Sequence, residues 1–126
     1  MGYTTEFRGR LKFSRQLTEV ESAVMHELAE TRHGGNIAED PAFPGYYCQW
    51  IVTGDRKYLE WDGGEKFYNY IEWLNHIIDR HLEPWGVTVT GTIRWQGEER
   101  NDKGRIRADN SVLTITRGPQ KRKKQA

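Results

Sequence analysis

Four consecutive residues, Asp62-Gly63-Gly64-Glu65, sit inside "EWDGGEKFYNYIEWL" and combine two carboxylates with two flexible positions. Three chemistries use such a set. Free amides at a glycine-rich turn can cradle phosphate, but that needs a nearby cation and no competing carboxylate. Lys66 is the single local cation, and the GxxxxGK[ST] pattern is absent. Two carboxylates can act as a hydrolytic pair, but such a pair faces across a substrate cleft and does not sit within one helical turn. An Asp-x-x-Glu spacing is also that of a capping box, in which Asp62 takes a first-turn amide and Glu65 reaches back. The spacing predicts the cap, with the corner left as part of a contact surface.

His26, Glu30 and His33 lie at i, i+4 and i+7 on one side of a predicted helix, a two-histidine, one-carboxylate arrangement. They lie nearly opposite the apolar stripe, so a solvated face is the expectation, and no metal ligand is assigned. His76 and His81, five apart, point in different directions. Cys48, in "YYCQWIV", lacks a CxxC partner and a companion base, which predicts a buried apolar residue in a reducing compartment. With no GxSxG, HExxH or GxGxxG pattern, no catalytic residue and no cofactor are assigned, and a non-enzymatic protein is expected.

The elements that must position these residues follow from periodicity. "EFRGRLKFSR" alternates as a strand with one wet face. "LTEVESAVMHELAETRHGG" changes period, with Leu17, Val20, Val24, Leu28 and Thr31 on one stripe and a Thr18–Glu21 capping box, which predicts a helix over 19–32. Residues 34–45, rich in Gly and Pro, are expected to form a loop, and most of that stretch lies outside the residues described below. A hairpin of strands 46–53 and 57–61 follows, then a helix over 65–82 with Phe67, Tyr70, Ile71, Leu74, Ile77, Ile78 and Leu82 as its apolar stripe. Pro84 and Gly86 stop it. "VTVTGTIRWQG" is a strand, and "GRIRADNSVLTIT" closes the body with two more around Asp109-Asn110. The β-α-β-β-α-β order predicts an α+β, ferredoxin-like (split β-α-β) antiparallel sheet with two helices on one face and an extra C-terminal β-hairpin. The competing architecture is a more open sheet whose last three strands form a separate meander.

The 126 residues suit one domain, 1–116. Residues 117–126 hold five of the 19 Lys and Arg and no acid; the remaining 14 basic residues face all 18 acidic ones, a body charge of −4. The tail, with Lys121, Arg122, Lys123 and Lys124, is expected to be disordered and to make at most weak, salt-sensitive contact with nucleic acid. No apolar run approaches the length of a membrane span, and no leader is evident, so a cytoplasmic protein is expected. The aromatics are abundant, with five Trp, six Tyr and four Phe. Trp50, Trp61, Trp95, Phe67 and Tyr70 belong to core positions, whereas Trp73 falls about 120° from the helical stripe and Tyr68 on its other margin, both at the edge of burial.

The segments "GYYCQW", "EWDGGEKFYNYIEWL", "PWG", "WQGE" and "DN", after "GYTTEFRGRLKF" and "ETRH", resemble a family of small uncharacterised proteins encoded by phages and bacterial genomes, over residues 3–33 and 45–116. Members often carry a longer Gly- and Pro-containing insert before the "CQW" strand, here shortened to 34–45. The resemblance implies no activity, cofactor or catalytic residue. It implies a phage or prophage origin, and by analogy an inhibitor of a host defence or host factor, acting from the host cytosol by binding a host protein. The surface expected to do so is Trp61, Asp62, Glu65, Tyr68, Trp73 and Trp85. The alternatives are a nucleic-acid accessory protein using sheet aromatics and the basic tail, and a small-molecule or nucleotide binder. The oligomeric state is left open.

Overall fold

The computed structural model describes residues 3–33 and 43–118. In chain order these form β1 (Glu6–Phe13), α1 (Glu19–Glu30), β2 (Trp50–Val52), β3 (Tyr58–Trp61), α2 (Tyr70–Ile77), a π-helical turn (Ile78–Leu82), α3 (Glu83–Trp85), β4 (Val89–Gln96), β5 (Lys103–Asp109) and β6 (Val112–Arg117). All six strands join one antiparallel sheet in the order β2-β3-β1-β4-β5-β6. The expected α+β class is therefore present. The final hairpin is in register with β4 and widens the same sheet, so the last three strands are no separate meander.

Strand alternation places Phe7, Leu11, Phe13, Leu59, Val89, Ile93, Trp95, Ile106 and Ala108 on one side of the sheet, where they join Met25 and Leu28 of α1 and Trp73, Leu74 and Ile77 of α2 in one core. A ring cluster of Phe7, Trp50, Phe67 and Tyr70 sits at its centre, with Phe7 edge-on to the other three at 5.0–5.7 Å. Trp50 Nε1 donates to Tyr70 O at 2.8 Å, joining β2 to the first turn of α2.

The Thr18–Glu21 capping box forms as expected. The helix is rotated from the expected stripe, however: Val20 and Val24 are exposed, and Met25 and Leu28 are buried with Leu17. Arg15 explains the rotation. Its guanidinium grips both Glu21 oxygens at 2.8 Å and donates to Trp85 O at 3.1 Å, so the Glu21 side of α1 turns toward the end of α3.

The second helix starts at Tyr70, five residues later than expected, because Asp62 Oδ1 accepts from Gly64 N at 2.7 Å instead of capping a helix. An Asx turn of this kind competes locally with helix initiation. Gln49 holds the next stretch by donating to Glu65 O at 2.8 Å. Phe67 still reaches the core, from irregular chain. At the other end the helical rod runs past the expected stop to Trp85, with Pro84 inside it. Proline lacks an N–H and crowds the carbonyl four residues back. The π-helical turn before it loosens that spacing, and Glu83 N donates to Ile78 O, five residues back. Gly86, at φ 72°, ends the rod in the left-handed conformation that glycine adopts at no steric cost.

Trp73 is fully buried, contrary to its expected marginal position. A helical wheel knows only its own helix. His33, at 5.3 Å, and Phe43, at 6.2 Å, come from other segments to cover the indole. Replacing Trp73 by Ala should therefore lower unfolding free energy by about 3–5 kcal/mol, read from the midpoint of a urea titration. A change below about 1 kcal/mol would contradict this packing.

Candidate functional site

The residues that alternate away from the core form an open sheet face. Arg8, Arg10 and Lys12 on β1, Arg94 on β4, and Lys103, Arg105 and Arg107 on β5 all lie there, against Glu6, Glu60 and Asp109. Registration makes the pattern tighter than composition suggests. Arg8 pairs with Arg94, and Arg94 pairs with Arg105, so three guanidinium groups stem from one row across three neighbouring strands. With strands about 4.8 Å apart, the row is about 10 Å long. Lys103, Gln96 and Glu6 form the adjacent row, and Arg107, Thr92 and Arg10 the next. A concavity of about 530 Å³ opens between the first two rows, lined by Glu6, Arg8, Arg94, Gln96, Lys103 and Arg105.

Like charges directly opposite one another on a sheet destabilise it. Among the described residues no carboxylate forms an ion pair with Arg8, Arg94 or Arg105; the ion pairs present are Arg15–Glu21 and His26–Glu30. Arg10 is held differently, its guanidinium carbon 3.8 Å from the centre of the Tyr58 ring on β3.

The β4–β5 turn fixes the row's alignment. Asp102 accepts from Tyr3 Oη at 2.7 Å and from Trp95 Nε1 at 3.2 Å, while Glu99 N donates to Tyr3 Oη at 3.0 Å. Gly104 is required here, since the Trp95 indole occupies the place its Cβ would take. The N-terminal segment and the turn thus lock β4 against β5, and the arginines with them.

The residues expected to form a protein-binding surface are dispersed. Asp62, Glu65 and Tyr68 are exposed near one corner, Trp61 is half-buried with its Nε1 on Gln49 Oε1 at 3.1 Å, and Trp73 is inside. Trp85 is half-buried at the far end of the helical rod, about 20 Å or more along it from that corner. Lys121, Arg122, Lys123 and Lys124 lie outside the described residues. The sheet aromatics expected to stack on bases face the helices, with Tyr58 the exception.

His26 pairs with Glu30 at 3.5 Å on an exposed helix face, while the His33 ring turns away to Leu28 O at 2.9 Å and stacks on Phe43 at 4.2 Å. Among the described residues no group of three or more His, Cys, Asp or Glu is placed to hold a metal ion. Cys48 is buried, and desolvation pushes its thiol up to about 12, far from the range of a reactive thiolate. No described helix is long and apolar enough to cross a membrane. Comparison with protein-family models, curated proteins and solved structures finds no match.

The open-face row was hidden from sequence reading because register cannot be deduced from alternation. The available signal was the run of Arg and Lys at every second position in "FRGRLKF" and "KGRIRAD".

Two predictions follow from these electrostatics. Arg94→Thr should raise the stability of the free protein by about 0.2–1 kcal/mol at low ionic strength, and the gain should shrink in high salt. Thermal melts at several salt concentrations read this; a loss of stability would mean the row is not repulsive. His76 is held down at about 4, chiefly by burial and then by His81. Below pH 6.5 the unfolded chain therefore binds more protons than the folded one, so stability should fall between pH 6.5 and 4. The melting profile of His76→Asn should be flatter over that window.

Proposed function

We propose that this chain is a non-enzymatic polyanion-binding domain whose open sheet face neutralises the phosphate backbone of nucleic acid. The observation that carries the reading is the Arg8–Arg94–Arg105 row, three cations in direct cross-strand register with no carboxylate partner among the described residues. A row of that kind costs stability until an anion lies across it, and phosphate accepts from guanidinium in a bidentate way. The net charge of the body does not oppose this, because Glu19, Glu27 and Glu30 on α1 and Glu72, Asp79 and Glu83 on the helical rod project on the other side of the sheet. Phosphate contacts by Lys121, Arg122, Lys123 and Lys124, which lie outside the described residues, would add to the salt dependence of binding.

A ferredoxin-like description of the fold belongs to the same proposal. The partial order β2-β3-β1-β4 and the packing of both helices into one core support it, and the β5–β6 hairpin extends the sheet beyond that plan. In this reading the hairpin supplies Lys103, Arg105 and Arg107 of the cationic face.

A host-protein partner is the second reading, favoured by a different observation. Tyr46, Tyr47 and Tyr68 are 44–53% exposed, and Gly45 beside Tyr46 packs near Asn69 beside Tyr68, with Asp62 and Glu65 on the same irregular segment. Such a surface would act independently of the arginine row.

The test is fluorescence anisotropy of a labelled oligonucleotide over a range of salt. Binding should weaken steeply with salt, and each of Arg8→Gln, Arg94→Gln and Arg105→Gln should reduce the log–log slope by about 0.7–0.9. Slopes and affinities unchanged by all three substitutions would rule the face out as the phosphate site.

A further inference from the structure

Resting on the polyanion reading, the geometry points to a more specific ligand: we propose that the open face holds single-stranded nucleic acid, with phosphates on the Arg8–Arg94–Arg105 row and one base stacked on the Arg10–Tyr58 pair.

Three observations converge on a single strand. First, sequence reading of a duplex requires an element that enters a groove, and the major groove, about 12 Å wide, admits one helix or a two-stranded ribbon. The cationic face belongs to the middle of a six-stranded sheet, with both helices packed on the other side. It is too broad to enter a groove. Second, the cations form a compact block over three adjacent strands, which a flexible strand can follow. Third, an unstacked base offers a π-face that needs a planar partner, and both aromatic rings and guanidinium planes serve.

The Arg10–Tyr58 pair provides that partner. Tyr58 lies opposite Lys12 on the open face, the neighbour of Leu59, which pairs with Leu11 inside the core. Arg10 lies over the Tyr58 ring at 3.8 Å, a cation–π contact that orders a side chain otherwise rich in rotamers. Stacking leaves the two outer π-faces of the pair for a base. Arg10 is two residues from Arg8 on β1, about 7 Å along the strand, so a base on the pair and a phosphate on the row can belong to neighbouring nucleotides. Lys12, beside Tyr58, adds a further cation on the same path.

The experiment compares three labelled probes of equal length: single-stranded oligodeoxyadenosine, an abasic deoxyribose-phosphate strand, and the corresponding duplex. The wild-type chain should bind oligodeoxyadenosine at least about 5-fold more tightly than the abasic strand, and more tightly than the duplex. Tyr58→Leu should remove the preference over the abasic strand, and Tyr58→Phe, which keeps the ring, should retain it. Thermal melts establish that both variants fold; if the Leu variant does not, the wild-type comparison of oligodeoxyadenosine with the abasic strand still decides the base platform. Equal binding of the two single strands, a preference for the duplex, or a preference that survives in folded Tyr58→Leu overturns the base platform while phosphate binding stands. Failure to bind all three probes overturns both readings.

Discussion

The period-two geometry of β1 and β4 governs the rest of the molecule. These central strands pair over eight successive residues, from Glu6 opposite Gln96 to Phe13 opposite Val89. Once Phe7, Leu11, Ile93 and Trp95 turn inward to meet the helices, Arg8, Arg10, Lys12 and Arg94 must turn outward together. A slip of one residue in β1 would turn Phe7 and Leu11 outward and bury Arg8, Arg10 and Lys12, so the apolar core enforces the charged face. Each strand that joins the sheet extends both surfaces, and β5 extends the charged one by Lys103, Arg105 and Arg107.

Energetics favour a face that is uncomfortable when empty. The core packs several rings edge to face, while the open side carries arginines opposite arginines. An anion that binds the folded chain offsets the repulsion and raises apparent stability by mass action. Function, in this account, draws on a small local destabilisation that a robust core tolerates.

Most strands and the capping box of α1 were legible in the sequence because alternation and caps are local, although the strand expected over 46–53 is only Trp50–Val52 and the last hairpin turns on Asn110-Ser111, one residue beyond the expected Asp109-Asn110. The misses come from contacts that residue periodicity does not encode, some of them local and some from distant segments. Trp73 is buried by His33 and Phe43, which a helical wheel cannot see. Asp62 spends its carboxylate on Gly64, so the second helix starts late. The tie from Arg15 to Glu21 and Trp85 rotates α1 and exposes Val20. The arginine row needed cross-strand register, and the acidic body charge pointed away from it because several of the acids lie on the helices, on the other side of the sheet.

The most direct test is residue-resolved mapping of the surface by amide chemical shifts as a single-stranded oligonucleotide is added to the labelled protein. The account predicts perturbations concentrated on β1, β4 and β5 around Arg8, Arg94 and Arg105, with α1 and α2 little changed. Perturbations centred instead on the helices or on the Asp62–Tyr68 corner would contradict it.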